Sequence, residues 1–216
     1  MQDYLLRQQT VSVDNIDYSI RSLKDNQQFN DHQQLAEALG ISSASWPLFG
    51  QVWPSSRVLA ATVSAIVLDG KRVLEIGCGL ALASIVLHKM GIDITASDYH
   101  PLAREFLDQN VLANELPPIK FAIGNWEVEN PLLGEFDVII GSDILYEPAH
   151  AKNVSHFVDH HSGNDAQVII VDPNRGNRAR FTKKMIALGY NHRFERFDEQ
   201  QEDGSSCRGR VLHYQR

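Results

Sequence analysis

The sequence predicts a doubly wound α/β sheet of seven strands in which the last strand runs antiparallel. Three observations carry that expectation. From Gly50 onward, short apolar runs alternate with helical patterns, the mark of parallel strands joined by crossover helices. One run, Val73 to Ile76, passes directly into Gly77-Cys78-Gly79 and then an apolar helix; open α/β sheets bind ligands beyond strand ends of this kind. The last two runs, 190–197 and 208–214, have only a polar loop between them, so they read as a hairpin that reverses the final strand.

The elements follow in order. Residues 1–50 are Gln- and Asn-rich and read as a decoration on the main domain, which spans 51–216. Within the decoration Val11, Val13, Ile16, Tyr18 and Ile20 alternate around Asp14-Asn15, the pattern of a hairpin. A short helix over 31–39 stops at Gly40. Pro54 opens a helix whose inward face holds Val58, Leu59, Thr62, Ala65 and Ile66. Strands are expected over 72–76, 92–96, 119–123, 136–141 and 167–171. The helices between them cover 80–90, 101–114 and 149–161, and a further helix covers 177–188.

Composition narrows the class of function. At 216 residues one domain with its own core is expected. The hydrophobic fraction of 43% and charged fraction of 22% are those of a globular protein. A net charge of −7 argues against nucleic acid as partner, because such binding neutralises phosphates with Lys and Arg. It argues equally against a polybasic membrane anchor. No run approaches a membrane span, and the start carries no secretory pattern. With two cysteines and no CxxC pair, a reduced, cytoplasmic setting is expected.

The glycine turn admits two ligand classes. A dinucleotide site wants a third glycine, where this chain has the bulky Leu82. Glu75, two residues before Gly77, instead suits a ligand carrying an amine and a sulfonium. The next strand ends at Ser97-Asp98-Tyr99, about twenty residues on, where an acid is placed to accept hydrogen bonds from ribose hydroxyls. After the third strand comes Asn125-Trp126: the indole offers a flat face to adenine, and the amide can read the base edge. The bland alternatives are a structural turn, a helix-capping Asp and a half-buried Trp. The fourth strand leads into Ser142-Asp143-Ile144-Leu145-Tyr146. There Asp143 can accept hydrogen bonds from a substrate amine and orient it, while Tyr146 adds a hydrogen bond or an aromatic wall.

The E-x-G-x-G run 75–79 resembles the first motif of S-adenosylmethionine methyltransferases. The D-x-x-Y run 143–146 and the tryptophan segment Trp46 to Ser55 resemble, more narrowly, the seven-β-strand, family-sixteen protein lysine methyltransferases. That resemblance covers about 46–171. It implies a Rossmann-like fold and S-adenosyl-L-methionine as cofactor, with Trp53, Gly77, Cys78, Gly79, Asp98, Trp126 and Ser142 around it. Asp143 and Tyr146 fall on the substrate side, and the implied activity is N-methylation of a protein lysine. Where relatives carry a further glycine this chain has Ala81, small enough to keep the turn. Some bacterial relatives are nicotinamide-methyltransferase-like, which keeps a small-molecule amine or pyridine open as substrate. A non-catalytic module that only binds the cofactor is the alternative of another class.

Other features carry less. Arg175, Arg178, Arg180, Lys183 and Lys184 read as a solvated helix face, and Glu195, Asp198, Glu199, Glu202 and Asp203 as a loop forming an acidic lip. His156 and His160 lie one helical turn apart but lack a third ligand, so no metal is expected. His100 starts a helix and could face the site; Ser55 and Ser56 have no base partner.

Overall fold

Seven strands stand side by side in the order β5-β4-β3-β6-β7-β9-β8 in the computed structural model, which describes residues 4–128, 130–200, 204 and 206–216. The parallel strands are β3 (Arg72–Ile76), β4 (Asp93–Asp98), β5 (Lys120–Ile123), β6 (Phe136–Ser142) and β7 (Ser162–Asp172). The closing hairpin is β8 (Asn191–Gln200) and β9 (Ser206–Gln215), and β9 inserts antiparallel between β7 and β8. The chain winds outward from β3 through β4 to β5, then returns to place β6 on the other side of β3. The order therefore reverses between β3 and β6, and the crevice beyond their carboxyl ends is where such sheets take a ligand.

Alternation along the strands divides the core into two layers. Val73, Val138, Ile140, Ile169, Val171 and Val211 face one side, and Leu74, Ile139, Val168, Ile170 and Leu212 the other. The first side is covered by α2 (Pro54–Ser64), α3 (Leu82–Lys89) and α4 (Ala103–Ala113), and the second by α5 (His150–His161) and α6 (Arg178–Ala187). Among the described residues no helix is long and apolar enough to cross a membrane.

The hairpin pairs β1 (Leu6–Val13) with β2 (Ile16–Leu23). Its turn residues Asp14 and Asn15 both adopt positive φ, 48° and 62°, as a two-residue hairpin turn requires. Val11, Val13, Tyr18 and Ile20 are buried in the same core layer as α2 to α4. Three expectations change. The helix expected over 31–39 shrinks to one turn, α1 (Leu35–Ala38), because the Asp31 carboxylate reaches forward to accept from the Ala36 and Glu37 N–H groups instead of joining a helix. Helix α2 buries Ser55, Leu59, Ala60 and Val63, while Ala65 is exposed. The small Ser55 and Ala60 face inward because α2 is pressed between α3, the sheet and β1. On the acidic lip, Glu195, Asp198 and Glu199 belong to strand β8, since cross-strand pairing with β9 extends to Gln200; Glu202 and Asp203 lie outside the described residues.

Among the described residues the outer edge of β2 has no strand beside it. Helix α4 supplies the missing partners with two asparagines one turn apart. Asn110 accepts from Arg21 N at 2.7 Å and donates to Arg21 O at 3.2 Å. Asn114 accepts from Ser19 N at 2.9 Å and donates to Ser19 O at 2.8 Å. Each amide thus stands in for a peptide of a neighbouring strand. Asn110 is fully buried, so its loss leaves two backbone groups unmet. We expect Asn110→Ala to cost about 2 kcal/mol and the less buried Asn114→Ala nearer 1 kcal/mol. Urea midpoints measure both; a loss for Asn110→Ala below about 0.5 kcal/mol would remove the anchoring role.

Candidate active site

The turn after β3 is built from left-handed residues: Gly77 has φ +60°, Gly79 +53° and Ala81 +58°. At both glycines there is also no room for a side chain. A Cβ on Gly77 would lie 2.9 Å from Ile144 Cγ2 and 3.2 Å from Trp126 Cζ2, and one on Gly79 would lie 2.8 Å from the Phe49 carbonyl oxygen. Phe49 belongs to a 3₁₀ turn, Trp46–Gly50, that brings the tryptophan segment onto the glycine turn. Trp53 follows and donates from Nε1 to Leu48 O at 2.9 Å, which folds that segment back on itself.

A cavity of about 710 Å³ opens beyond the carboxyl ends of β3, β4 and β6. Of the residues expected around the cofactor, Trp53, Gly77, Cys78, Gly79, Asp98, Tyr99, Asn125, Trp126 and Ser142 line it. Asp143 and Tyr146 line it as well. Asp98 ends β4 with its carboxylate accepting from Gly79 N at 2.7 Å and His100 N at 2.8 Å. Burial pushes its pKa upward, against the pull of those backbone N–H groups. Asn125 accepts from Glu127 N and so shapes the turn that presents Trp126. The Trp126 ring meets His150 edge-on at 5.2 Å, and its buried Nε1 has no protein acceptor among the described residues.

Glu75 stands apart from that set. It is 2% exposed and does not reach the cavity, because its side chain points, like that of Val73, toward the helical layer of α3. There its carboxylate accepts from the N–H and the hydroxyl of Ser84. Ser84 is the third residue of α3, and the N-cap position, Ala81, has no side chain with which to cap. Glu75 therefore caps the helix from the neighbouring strand.

Two residues beyond the expected cofactor and substrate sets join the site. His100 stacks on Phe49 with centroids 3.7 Å apart, and its Nδ1 accepts from Leu102 N. Burial pushes its pKa down to about 3, so the ring is neutral and its Nε2 carries the proton, buried beside the cavity without an acceptor among the described residues. The sequence groups Arg175 with a solvated helix face. It precedes α6 and turns into the cavity, where Nε and Nη2 each meet one oxygen of Asp143 at 2.7 Å. The signal that separates Arg175 from Arg178 and Arg180 is the Asn174-Arg175-Gly176 turn, with Asn174 at φ +62°. Asp143 is itself left-handed, φ +53°, and its N–H donates to Val171 O, which fixes where its carboxylate emerges. His156 and His160 sit on α5, 6.0 Å apart, outside the cavity lining.

The capping role of Glu75 has a pH signature. Burial raises its pKa from the ordinary 4.5 to about 7, against the two Ser84 hydrogen bonds. A carboxyl raised in the folded state binds its proton more tightly there than when unfolded. Its contribution to stability therefore falls as pH rises from about 4.5 to about 7 and is level above. In the absence of added cofactor, Glu75→Gln should gain on the wild type by up to about 3 kcal/mol across that window. Parallel stability–pH curves for the two proteins would rule this out.

Comparison with known proteins adds to this geometry. A family model described as lysine methyltransferase matches residues 34–187, which spans the cavity lining from Leu39 to Arg175. The protein N-lysine methyltransferase METTL21A of Mus musculus is 30% identical over 128 residues, covering 55% of this chain and 58% of that protein. The histone-arginine methyltransferase METTL23 of Rattus norvegicus is 35% identical over 111 residues, covering 48% of this chain and 49% of that protein. The chain thus spans about half the length of these curated relatives. Among solved structures, the magnesium protoporphyrin IX methyltransferase (ChlM) of Synechocystis PCC 6803 with bound SAM shares the fold. Its TM-score is 0.59 at 21% identity, covering 77% of this chain and 86% of that one. With the matched region reaching from α1 to the end of α6, the chain belongs to the lysine methyltransferase family.

Proposed function

We propose that the chain is an S-adenosylmethionine-dependent N-methyltransferase whose acceptor is a protein lysine side chain. The observation that carries this reading is the position of Asp143. Its carboxylate, 11% exposed, shares one cavity with the glycine turn, beneath a rim where Tyr146 and Arg175 are almost half exposed. An open rim of that kind admits a side chain projecting from another protein's surface.

The residues present fit the cofactor. Gly77 and Gly79 present bare backbone to the cavity, at positions where a Cβ would collide with Ile144 or with the Phe49 carbonyl. Asp98 keeps lone pairs for ribose hydroxyls beyond the two backbone bonds it accepts. Tyr99 and Trp126 supply aromatic surface for a base, and the buried N–H groups of Trp126 and His100 are donors with no acceptor among the described residues. When bound, the cofactor supplies an electrophilic methyl group on a sulfonium. The work of the chain is then to position the amine and to exclude water. Asp143 accepts a hydrogen bond from the amine and aims its lone pair. Tyr146, edge-on to His150 at 4.6 Å, walls the approach. Burial lowers the His150 pKa, and its Nδ1 donates to Ile144 O, so the wall is neutral and fixed to the segment that carries Asp143.

The test uses methyl-labelled S-adenosylmethionine and lysate from cells lacking this protein, supplied with wild type or Asp143→Ala. Label on a protease-sensitive band that depends on the wild type is expected, and a fall of about a hundredfold in its rate of appearance with Asp143→Ala. Cofactor affinity should change little. Label confined to small molecules would replace the protein acceptor with a small amine or pyridine. Unimpaired transfer by Asp143→Ala would end the role given to that carboxylate.

A further inference from the structure

The Arg175–Asp143 pair calls for its own explanation, and that explanation rests on Asp143 being the acceptor of the substrate amine. Both nitrogens of the guanidinium fork engage both carboxylate oxygens at 2.7 Å, the strongest geometry available to such a pair. The arm is braced at its root. Asn174 donates to Arg208 O at 2.9 Å and accepts from Arg178 at 2.9 Å and Arg210 at 3.2 Å. Asn177 donates to Leu145 O at 3.0 Å, which ties the loop carrying Arg175 to the segment carrying Asp143. Strand β9, helix α6 and the loop after β6 thus all hold the pair in register.

A cation on the acceptor carboxylate looks counterproductive until the state of the substrate is considered. A lysine amine in water is protonated, and only its uncharged form has a lone pair for attack. A bare carboxylate would bind the ammonium form best and would hold the very proton that must leave. A carboxylate already paired with a guanidinium has little net charge, yet each oxygen keeps a lone pair that can accept an N–H.

We propose that Arg175 is a positioning residue that neutralises Asp143, so that the acceptor site takes up the substrate amine in its uncharged form. The ammonium gives its proton to bulk water before it settles. The nitrogen lone pair then forms the N–C bond as the C–S bond breaks, and the positive charge passes from sulfur to the methylated nitrogen. The same neutral pair has little hold on the charged product, which favours release.

Other charged and titratable groups face this pair. Asp172 at the end of β7 and Cys207 on β9 lie near Arg175 and Asp143, and Arg178 answers Asp172 at 3.5 Å. Asp98 and Glu147 bear on the same cavity around Tyr146, and Asp198 and Glu199 lie beyond Cys207. Arg175 alone pairs directly with Asp143 among the described residues.

The experiment measures kcat and KM against pH for wild type, Arg175→Gln and Arg175→Lys. The probe is the protein labelled in the preceding experiment, isolated unmethylated from cells lacking this chain. The pH dependence of kcat reports groups in the bound complex, whereas kcat/KM reports the free partners. We expect the acid limb of kcat to move up by about one pH unit in Arg175→Gln, with KM lowered and the limb of kcat/KM unmoved. Near neutral pH that shift is a fall of about tenfold in kcat. Arg175→Lys, which keeps the charge, should stay within about 0.3 of the wild-type limb. A kcat profile for Arg175→Gln that superimposes on the wild type after scaling would reduce Arg175 to a structural brace. Calorimetric cofactor binding checks that each variant is folded. If Arg175→Gln loses binding, the wild type alone still decides. Its kcat limb must lie below the ordinary lysine value of about 10.4, and a limb at or above that value overturns the proposal. Failure here with normal sensitivity to Asp143→Ala would leave the acceptor reading standing; loss of both would remove it.

Discussion

A backbone that turns left-handed three times within five residues cannot hold itself in place. The segment Gly77 to Ala81 is held from outside: Cys78 N donates to Ser97 O, Asp98 grips Gly79 N, and Glu75 binds the first turn of the following helix. The Phe49 carbonyl presses on one glycine, and Ile144 with Trp126 on the other. Contacts of β4, the tryptophan segment and the loop after β6 therefore converge on five residues. The elements that build the cavity are the same ones that fix the turn, which couples the stability of the turn to the shape of the site.

The parts of this arrangement that were legible in the sequence are those written in local chemistry. Asp14-Asn15 between alternating apolar residues specifies its hairpin, because few residues tolerate two successive positive φ angles. The strand–glycine–helix junction and the acid ending the next strand declare themselves by spacing. What depended on tertiary contact was hidden. The inward face of α2 follows from crowding on three sides, and hydrophobicity alone misassigned Ala65, while Ala60 turns inward. Glu75 sits in a ligand motif yet serves the helix behind it, a distinction set by which way one strand residue points. Arg175 was concealed by its company: four neighbouring cations made it look like surface, and only the bend at Asn174 sends it inward.

Charge in this protein is arranged by neighbourhood rather than by total. The chain is acidic overall, with a net charge of −7, yet four carboxylates in or behind the cavity wall are individually managed. Asp98 is held by backbone N–H groups, Glu75 by a serine, Asp143 by a guanidinium, and Asp172 by Arg178 at longer range. A cationic ligand entering such a site meets acceptors that are already oriented, so little is spent on reorganising them.

The two asparagines of α4 have a consequence beyond anchoring the hairpin. A two-stranded ribbon ordinarily leaves a row of backbone groups open to whatever strand comes by, including one from another copy of the chain. Here the side-chain amides of Asn110 and Asn114 occupy that row along β2, where an intruding strand would have to dock. A helix has thus been made to close a sheet margin, and on that side the ribbon offers self-association no template.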